Sequence, residues 1–318
     1  FIDVTVSGGT GNYTYSWREE SNPNQELPFG DGPTYCPPTD VIGEFNYFYV
    51  VTTDVEGADC ESTSNTATVI VNPGPSFITQ PLETQTVCEG GSPEPFYDSD
   101  TNNPFVQDGV GDPTYQWYKN EVCDTSDLAE EHEVPEEEGG TDPFYAPPGD
   151  TVGTLYYYVV VTYPDEGGCA PITSDCAEVI VVPDPDVNIT SPLEYTICID
   201  GDIDPIETSV SGGVGSAEYT WSITGPGVNP GSYTASAGDT TYTPTAVQSN
   251  IFATAGVYEF FVTVTFSGSG CDSAISDTVE VTVLEDPVLE DPLPTLQELC
   301  QNSEAECLVG NASGGTGN

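Results

Sequence analysis

Cysteine is the residue type whose chemistry stands out in this chain of 318 residues. Ten cysteines are spread along the sequence, and no two of them form a Cys-x-x-Cys pair. Such wide spacing favours disulfide bonds over a metal site, and stable disulfides form in oxidising compartments. We therefore expect an extracellular protein.

The other reactive side chains offer little catalysis. The single histidine, His132, lies among glutamates and has no second histidine at the spacing of a zinc-binding helix. The 53 Asp and Glu residues are too numerous for any pair to stand out as a glycosidase dyad. No nucleophile elbow, phosphate-binding loop or dinucleotide-binding pattern occurs. We expect no enzyme activity.

Net charge excludes two classes of partner. Only Arg18 and Lys119 are basic, so the formal net charge is −51. A chain with this charge repels nucleic acid and anionic lipid. The sequence also has no apolar run of membrane-spanning length, so we expect no membrane insertion of this segment.

A tyrosine-rich stretch occurs three times, at residues 43–52, 153–162 and 256–265. Each copy begins with glycine, is rich in aromatic and β-branched residues, and alternates two sets of side chains, which is typical of a strand between two packed layers. No segment has a sustained 3.6-residue apolar period. The pattern predicts an all-β chain built from repeats.

The repeats divide the chain into four parts. Residues 1–73 form a domain that lacks its first strand or strands, and residues 74–184 form a second domain with an acidic insertion at 124–142, which we expect to be a mobile loop. Residues 185–286 form a third domain. Residues 287–318 carry the first strands of a further domain, which would complete the next unit along an axis.

Four aromatic residues are predicted to fill the cores. Trp17, Trp117 and Trp221 each end a Tyr-x-Trp strand, with spacings of 117 − 17 = 100 and 221 − 117 = 104, and Tyr157 lies on one face of the middle tyrosine-rich strand. A tryptophan exposed for stacking on sugars is the alternative. Because the spacing is so regular, we favour the core.

Several motifs together point to a family. They are Cys-x-Gly-Gly at 88–91, Gly-Cys at 168–169 and 270–271, Gly-x-aromatic-x-aromatic, and Ser-Gly-Gly-x-Gly before Tyr-x-Trp. With them the chain resembles the tandem immunoglobulin-like or PKD-like repeats of giant Bacteroidota surface proteins, such as the gliding-motility adhesins of flavobacteria.

The resemblance implies a linear array of immunoglobulin-like β-sandwiches in a thread-like extracellular adhesin exported by type IX secretion. The sequence departs from the pattern at 199–201 and in the acidic insertion, so we expect these two loops to differ in conformation.

One early and one late cysteine in each repeat predict two disulfides, Cys88 with Cys169 and Cys198 with Cys271. Cys123 and Cys176 remain in the second repeat. They could pair with each other, but four cysteines allow three connectivities and the sequence does not choose among them.

The remaining cysteines lie near the two ends of the sequence. We expect Cys300 to pair with the Cys60 position, and Cys307 with the Cys36 position, of the unit that follows along the axis. The partners are then copies of the same sequence. They belong either to one long repeat chain or to separate subunits that donate an edge strand. The SGGTGN at 313–318 repeats that at 7–12, which favours the long chain.

Calcium is the one cofactor considered. Asp184, Asp186, Glu285 and Asp286 lie at the predicted domain junctions, where oxygen ligands could converge on Ca²⁺. The simpler interpretation, which we favour, is that these residues keep a linker extended and soluble.

Glycosylation is suggested by the resemblance alone. Thr151, Ser273 and Thr278 lie in Asp-Thr or Asp-Ser triplets similar to the O-glycosylation motif of Bacteroidota.

Two functions remain open at this point. The first is a non-catalytic structural or adhesive segment of an extracellular filament or giant surface adhesin, with surface glycans as a candidate partner. The alternative is a set of carbohydrate-binding or spacer modules attached to a secreted hydrolase. Aromatics at matched core positions in all three repeats favour the first.

Overall fold

The computed structural model describes residues 2–3, 6–8, 12–28, 30–53, 60–81, 83–97, 105–164, 167–228, 231–234, 240–244, 251–268, 270–289 and 296–314. Strands make up almost all of the regular structure in these ranges. We name the first (up to 73), second (74–184) and third (185–286) domains and the final segment (from 287). No helix in the described ranges is long and apolar enough to cross a membrane.

The described residues of the first domain form β1 (Ile2–Asp3), β2 (Tyr13–Glu19), β3 (Asn22–Glu26), β4 (Thr34–Tyr35), β5 (Gly43–Thr53), β6 (Cys60–Thr63) and β7 (Ala67–Val71). The described residues of the second domain form β8 (Ser76–Phe77), β9 (Thr84–Cys88), β10 (Val106–Gln107), β11 (Thr114–Asn120), β12 (Gly153–Thr162), β13 (Ile172–Thr173) and β14 (Ala177–Val182).

The third domain contains β15 (Asp186–Ile189), β16 (Glu194–Cys198), β17 (Ile206–Ser211), β18 (Ala217–Thr224), β19 (Gly231–Thr234), β20 (Thr241–Tyr242), β21 (Gly256–Phe266), β22 (Ala274–Ile275) and β23 (Val279–Leu284). The final segment contains β24 (Val288–Leu289) and β25 (Ala312–Ser313), which pair with each other.

Each domain is built around its tyrosine-rich strand. In the third domain the larger sheet has the order β19-β18-β21-β23-β16, and a smaller sheet has the order β15-β17-β20. The second domain has the corresponding pairs, with β9 running parallel to β14 at the sheet edge as β16 runs parallel to β23. The chain is therefore all-β and consists of tandem immunoglobulin-like β-sandwiches.

The cores follow the alternation of the tyrosine-rich strands. In β12, Tyr157, Val159 and Val161 face the core of the second domain. All three tryptophans are also fully buried. Burying an aromatic ring removes about 150–250 Å² from water, so these residues dominate the stability of each sandwich.

The acidic insertion is not the loose loop that we expected. It forms two short 3₁₀ turns, Glu130–His132 and Glu136–Glu138. Val134 between them is buried, and its N–H donates to the Trp117 carbonyl at 2.9 Å. Such backbone hydrogen bonds tie the insertion to β11, so that one side of it covers the core of the domain. The other side faces water, which explains why the sequence of the insertion is so polar.

Candidate functional site: the junction between domains

A tight turn follows the early cysteine of each repeat. In the second domain the Gly91 N–H donates to the Cys88 carbonyl at 2.9 Å, and Gly90 has a φ of +79°. In the third domain the Gly201 N–H donates to the Cys198 carbonyl at 3.0 Å, with Asp200 at φ +56°. The loop at 199–201 was expected to differ, but it has the same turn, because aspartate tolerates the left-handed region.

The early cysteine of the second domain bonds to the late cysteine of the third. The disulfide joins Cys88 to Cys271, and not Cys88 to Cys169 or Cys198 to Cys271 as the repeat pattern predicted. Cys169 and Cys198 are free thiols in this structure. The expectation of one bond within each domain was wrong, because the Cys88 turn lies at the end of its domain that meets the next one.

Glycines bring the two domains close enough for this bond. A Cβ built on Gly270, which precedes Cys271, would lie 2.1 Å from the Gly91 Cα. Gly270 also has a φ of +75°. Any side chain at this position would therefore push the two backbones apart. The Cys-x-Gly-Gly and Gly-Cys motifs are thus the two halves of one contact.

The linker between β14 and β15 is held by the third domain. The Gly213 N–H donates to the Pro183 carbonyl at 3.1 Å, and the Asp272 N–H lies 3.5 Å from a carboxylate oxygen of Asp184. The Val214 N–H lies 3.3 Å from the Cys271 sulfur. The linker, the turn after β17 and the disulfide are therefore one connected unit, which limits rotation at the junction.

A second disulfide lies inside the second domain and joins Cys123 to Cys176. It is one of the connectivities that the sequence left open. Cys36, Cys60, Cys300 and Cys307 are free and exposed. Their predicted pairing with a following unit is not tested by a single chain.

The structure does not assemble the calcium site. Among the described residues, no group of three or more His, Cys, Asp or Glu side chains could hold a metal ion, and this includes Asp184, Asp186, Glu285 and Asp286. One carboxylate oxygen of Asp186 instead accepts a bond from Asn188 at 2.8 Å.

The predicted glycosylation positions remain predictions. Thr151, Ser273 and Thr278 are all exposed. Exposure makes them accessible to a modifying enzyme.

A groove of about 950 Å³ on the second domain is lined by Lys119, Glu138, Tyr145, Tyr157 and neighbours. Both tyrosine rings are buried in the core. Burial raises the pKa of Tyr157 to about 12, so its phenol stays neutral even at pH values where an exposed tyrosine ionises. Because the rings do not present their faces to solvent, the groove lacks a platform for stacking a sugar.

No family model matches the chain. The decoration protein of Escherichia phage T5 is 38% identical over 72 residues, which are 23% of this chain and 41% of that protein. The chain thus matches about two fifths of the length of that relative.

Among solved structures, the chain is similar to Sidekick-1 immunoglobulin domains 1–5, with 16% identity, a TM-score of 0.25, and coverage of 96% of this chain and 60% of that one. It is also similar to Drosophila OTK extracellular domains 3–5, with 12% identity, a TM-score of 0.32, and 85% coverage of each chain. Our fold assignment depends on the strand pairing of the chain itself.

Sequence reasoning missed that the cysteine bond crosses a domain boundary. A signal for it was present, because the two motifs place glycine beside cysteine on both sides of the bond. Glycine permits a close approach of another backbone, and Gly270 and Gly91 make such an approach across this junction.

Proposed function

We propose that the chain is a structural repeat segment of an extracellular filament or giant surface adhesin, and that it has no catalytic role. The observation that supports this most is the junction between the second and third domains. A disulfide, a glycine contact and a hydrogen-bonded linker fix one domain against the next. A stiff, extended fibre needs a fixed orientation between successive domains, whereas a set of independent binding modules does not.

Charge and redox chemistry fit the same role. Two disulfides are stable in an oxidising, extracellular compartment. The net charge of −51 keeps neighbouring fibres apart except where specific contacts form. An origin in Bacteroidota and export by type IX secretion remain part of the proposal, and they are supported only by the resemblance of the sequence motifs.

The array is proposed to continue through further copies of the same sequence. Either one long chain contains them, or separate subunits join by donating a strand. Gels of the native material separate the two, since a ladder that collapses on reduction to units of about 33.7 kDa indicates separate subunits. A very large band that reduction leaves unchanged indicates one chain.

Small-angle scattering of the intact chain tests the stiff junction. Compared with the Cys271→Ser variant, the oxidised wild type should have a narrower distribution of distances between the second and third domains. Identical distributions would contradict a fixed junction. A glycan array tests the alternative function, because strong binding that maps to the groove of the second domain would favour a carbohydrate-binding module.

A further inference from the structure

We infer that the Cys88–Cys271 bond is one member of a repeating set, and that the six free cysteines pair across the joint to a second copy of the chain. Cys300 then bonds to Cys169 of the second copy, Cys198 to its Cys60, and Cys307 to its Cys36. The inference rests on the proposed function, which requires copies to follow one another along an axis.

The early cysteines are equivalent in structure as well as in sequence. In the final segment the Ser303 N–H donates to the Cys300 carbonyl at 3.0 Å, with Asn302 at φ +71°. This is the turn that follows Cys88 and Cys198. The residue at the Gly91 position is small in every copy, namely glycine at 201 and serine at 303. Cys198 and Cys300 are thus each followed by the same turn as Cys88, the early cysteine that bonds to Cys271.

The late cysteines are equivalent too. Cys271 lies four residues before Ile275, which faces Thr263 of the tyrosine-rich strand, and Cys169 lies four residues before Thr173, which faces Val160. Gly168 has a φ of +66° and resembles Gly270 at +75°. Cys169 therefore has the geometry to accept an early cysteine from the domain that precedes the second one.

Cys60 differs by one position. It lies three residues before Thr63, which is the residue that matches Thr173 in register. Cys60 is exposed at the beginning of β6. The bond between Cys198 and Cys60 thus uses a loop that is one residue shorter.

These equivalences give a pairing rule: an early cysteine bonds to the late cysteine of the next domain. Cys88 and Cys271 are the one pair for which both partners lie within residues 1–318. Cys198 needs a late cysteine after the third domain, and Cys169 needs an early cysteine before the second domain. A second copy supplies both, because its first domain and the final segment of the preceding copy make one composite domain.

The first domain has room for that segment. Its last strand, β7, pairs with β5, and none of the described residues pairs with its other edge. In the second and third domains the corresponding edge is covered by β9 and β16. A groove of about 380 Å³ also opens in the first domain, beside Tyr49, Val51 and Cys60.

The final segment has the matching apolar face. Leu308 is 59% exposed, whereas Ile206, at the same register 102 residues earlier (308 − 206 = 102), is fully buried. Leu289 is 73% exposed, and its counterpart Val187 is 4% exposed (289 − 187 = 102). Residues 296–300, which correspond to β16, have no sheet partner among the described residues. The segment thus carries the counterparts of β15 and β16, for which the described residues of the first domain show no equivalent.

Register also assigns the third bond. Ile206 faces Tyr242 in the third domain, and Ile2 faces Tyr35 in the first. Leu308 of a donor would replace Ile2 opposite Tyr35. In an antiparallel pair the residue before Leu308 then faces the residue after Tyr35. These residues are Cys307 and Cys36, so the donated strand displaces β1 and brings two cysteines together.

This assignment changes one expectation from the sequence. Cys300 was expected to bond to the Cys60 position inside one composite domain. Because the observed bond crosses a junction, Cys300 is assigned to Cys169 of the same second copy instead. Each new bond forms by thiol–disulfide exchange, in which two thiols lose two protons and two electrons and an external disulfide, such as oxidised glutathione, is reduced to two thiols.

Two complementary variants test the assignment. A donor form carries Cys36→Ser, Cys60→Ser and Cys169→Ser, and an acceptor form carries Cys198→Ser, Cys300→Ser and Cys307→Ser. Both forms keep the two disulfides of the structure. They are mixed in a glutathione redox buffer at about 1 M NaCl, where the screening length falls to about 3 Å and repulsion between acidic chains is suppressed.

We expect a covalent dimer in the mixture and little in either form alone. Peptide mapping with a protease that cuts at acidic residues should find Cys300–Cys169, Cys198–Cys60 and Cys307–Cys36. Dimer that forms equally well from one variant alone, or no dimer in the mixture, would overturn the inference. A dominant Cys300–Cys60 bond would overturn the pairing rule but leave the proposed axial array intact.

A further variant tests the strand replacement without touching a thiol. Leu308→Asp in the donor form changes an exposed side chain, so the donor should stay folded. Charge at this position prevents burial in the composite domain, and we expect at least a tenfold loss of dimer. An unchanged yield would show that the cysteines meet without the donated strand.

Discussion

The third domain and the final segment contain the same elements with opposite burial. β15 pairs with β17, and β24 pairs with β25, at positions 102 residues apart. Both have the turn after the early cysteine. Yet the apolar side chains are buried in the third domain and exposed in the final segment.

This difference distinguishes local structure, such as turns and hairpins, from burial in a core. The turn and the hairpin depend on residues close in sequence, such as the left-handed Asp200 and Asn302. Burial depends on β18, β20, β21 and β23, which the described final segment does not have. Local structure can therefore form in a segment whose apolar side chains are exposed.

Paired alanine substitutions should show the largest effect. Ile206→Ala removes a fully buried side chain, and we expect it to lower the free energy of unfolding of the third domain by about 2–5 kcal/mol. Leu308→Ala, at the same register, should change stability by less than about 0.5 kcal/mol in the monomer. Denaturant unfolding followed by amide exchange of each region measures both. Equal costs would show that the final segment is already packed.

Removing each of the two disulfides should distinguish the stability of a domain from the rigidity of a junction. Cys123–Cys176 spans 53 residues within the second domain, so Cys176→Ser should lower the stability of that domain by roughly 4 kcal/mol or less. Cys271→Ser breaks a bond between domains. It should leave the stability of each domain within about 1 kcal/mol while widening the distribution of interdomain distances. Thermal unfolding followed by scattering measures both, and a large loss of stability in Cys271→Ser would mean that the domains unfold together.

Much of the fold could be predicted because it depends on periodic patterns. The tyrosine-rich strand and the matched tryptophans predict buried β-strands from their own residues. Cysteine pairing could not be predicted in the same way. A repeat pattern shows which cysteines are equivalent, but a bond within a domain and a bond to the next domain give the same spacing. Only the position of the Cys88 turn, against Gly270, decides between them.

The acidic insertion shows a second limit. Its composition predicts a solvated loop, and most of its carboxylates do face solvent. What the composition hides is Val134, a single apolar residue between two turns that anchors the loop to Trp117. Gly140 makes this possible, since a Cβ there would lie 1.8 Å from the Val134 carbonyl oxygen.

Glycine substitutions should have a smaller and more local effect. Gly270→Ala and Gly168→Ala both force alanine into the left-handed region, at a cost of about 1–2 kcal/mol each. Only Gly270 is in contact with the facing domain, because a Cβ on Gly168 meets nothing within 4 Å. We expect Gly270→Ala to make Cys88–Cys271 about tenfold easier to reduce and Gly168→Ala to leave it unchanged. Titration with dithiothreitol measures this, and equal reducibility would show that the glycine contact does not hold the junction.

Alkaline pH should lower the stability of the second domain but not affect the final segment, and this is the smallest of the expected effects. Burial raises the pKa of Tyr157 and of Tyr158 to about 12, and it also raises that of Tyr145. In the unfolded chain these phenols ionise near pH 10. Between about pH 10 and 12 the unfolded state therefore releases protons that the folded state keeps, and stability falls as pH rises.

The melting temperature of the second domain should thus stay constant up to about pH 9 and decrease above it. Residues 287–318 contain no tyrosine, so amide exchange in the final segment should show no matching change beyond the ordinary acceleration with pH. Tyrosine absorbance near 295 nm, followed during the same titration, reports ionisation directly. If absorbance rises fully by about pH 10.5 while the domain stays folded, the buried phenols are open to solvent, and the contrast between a packed domain and an unpacked segment is weaker than the structure indicates.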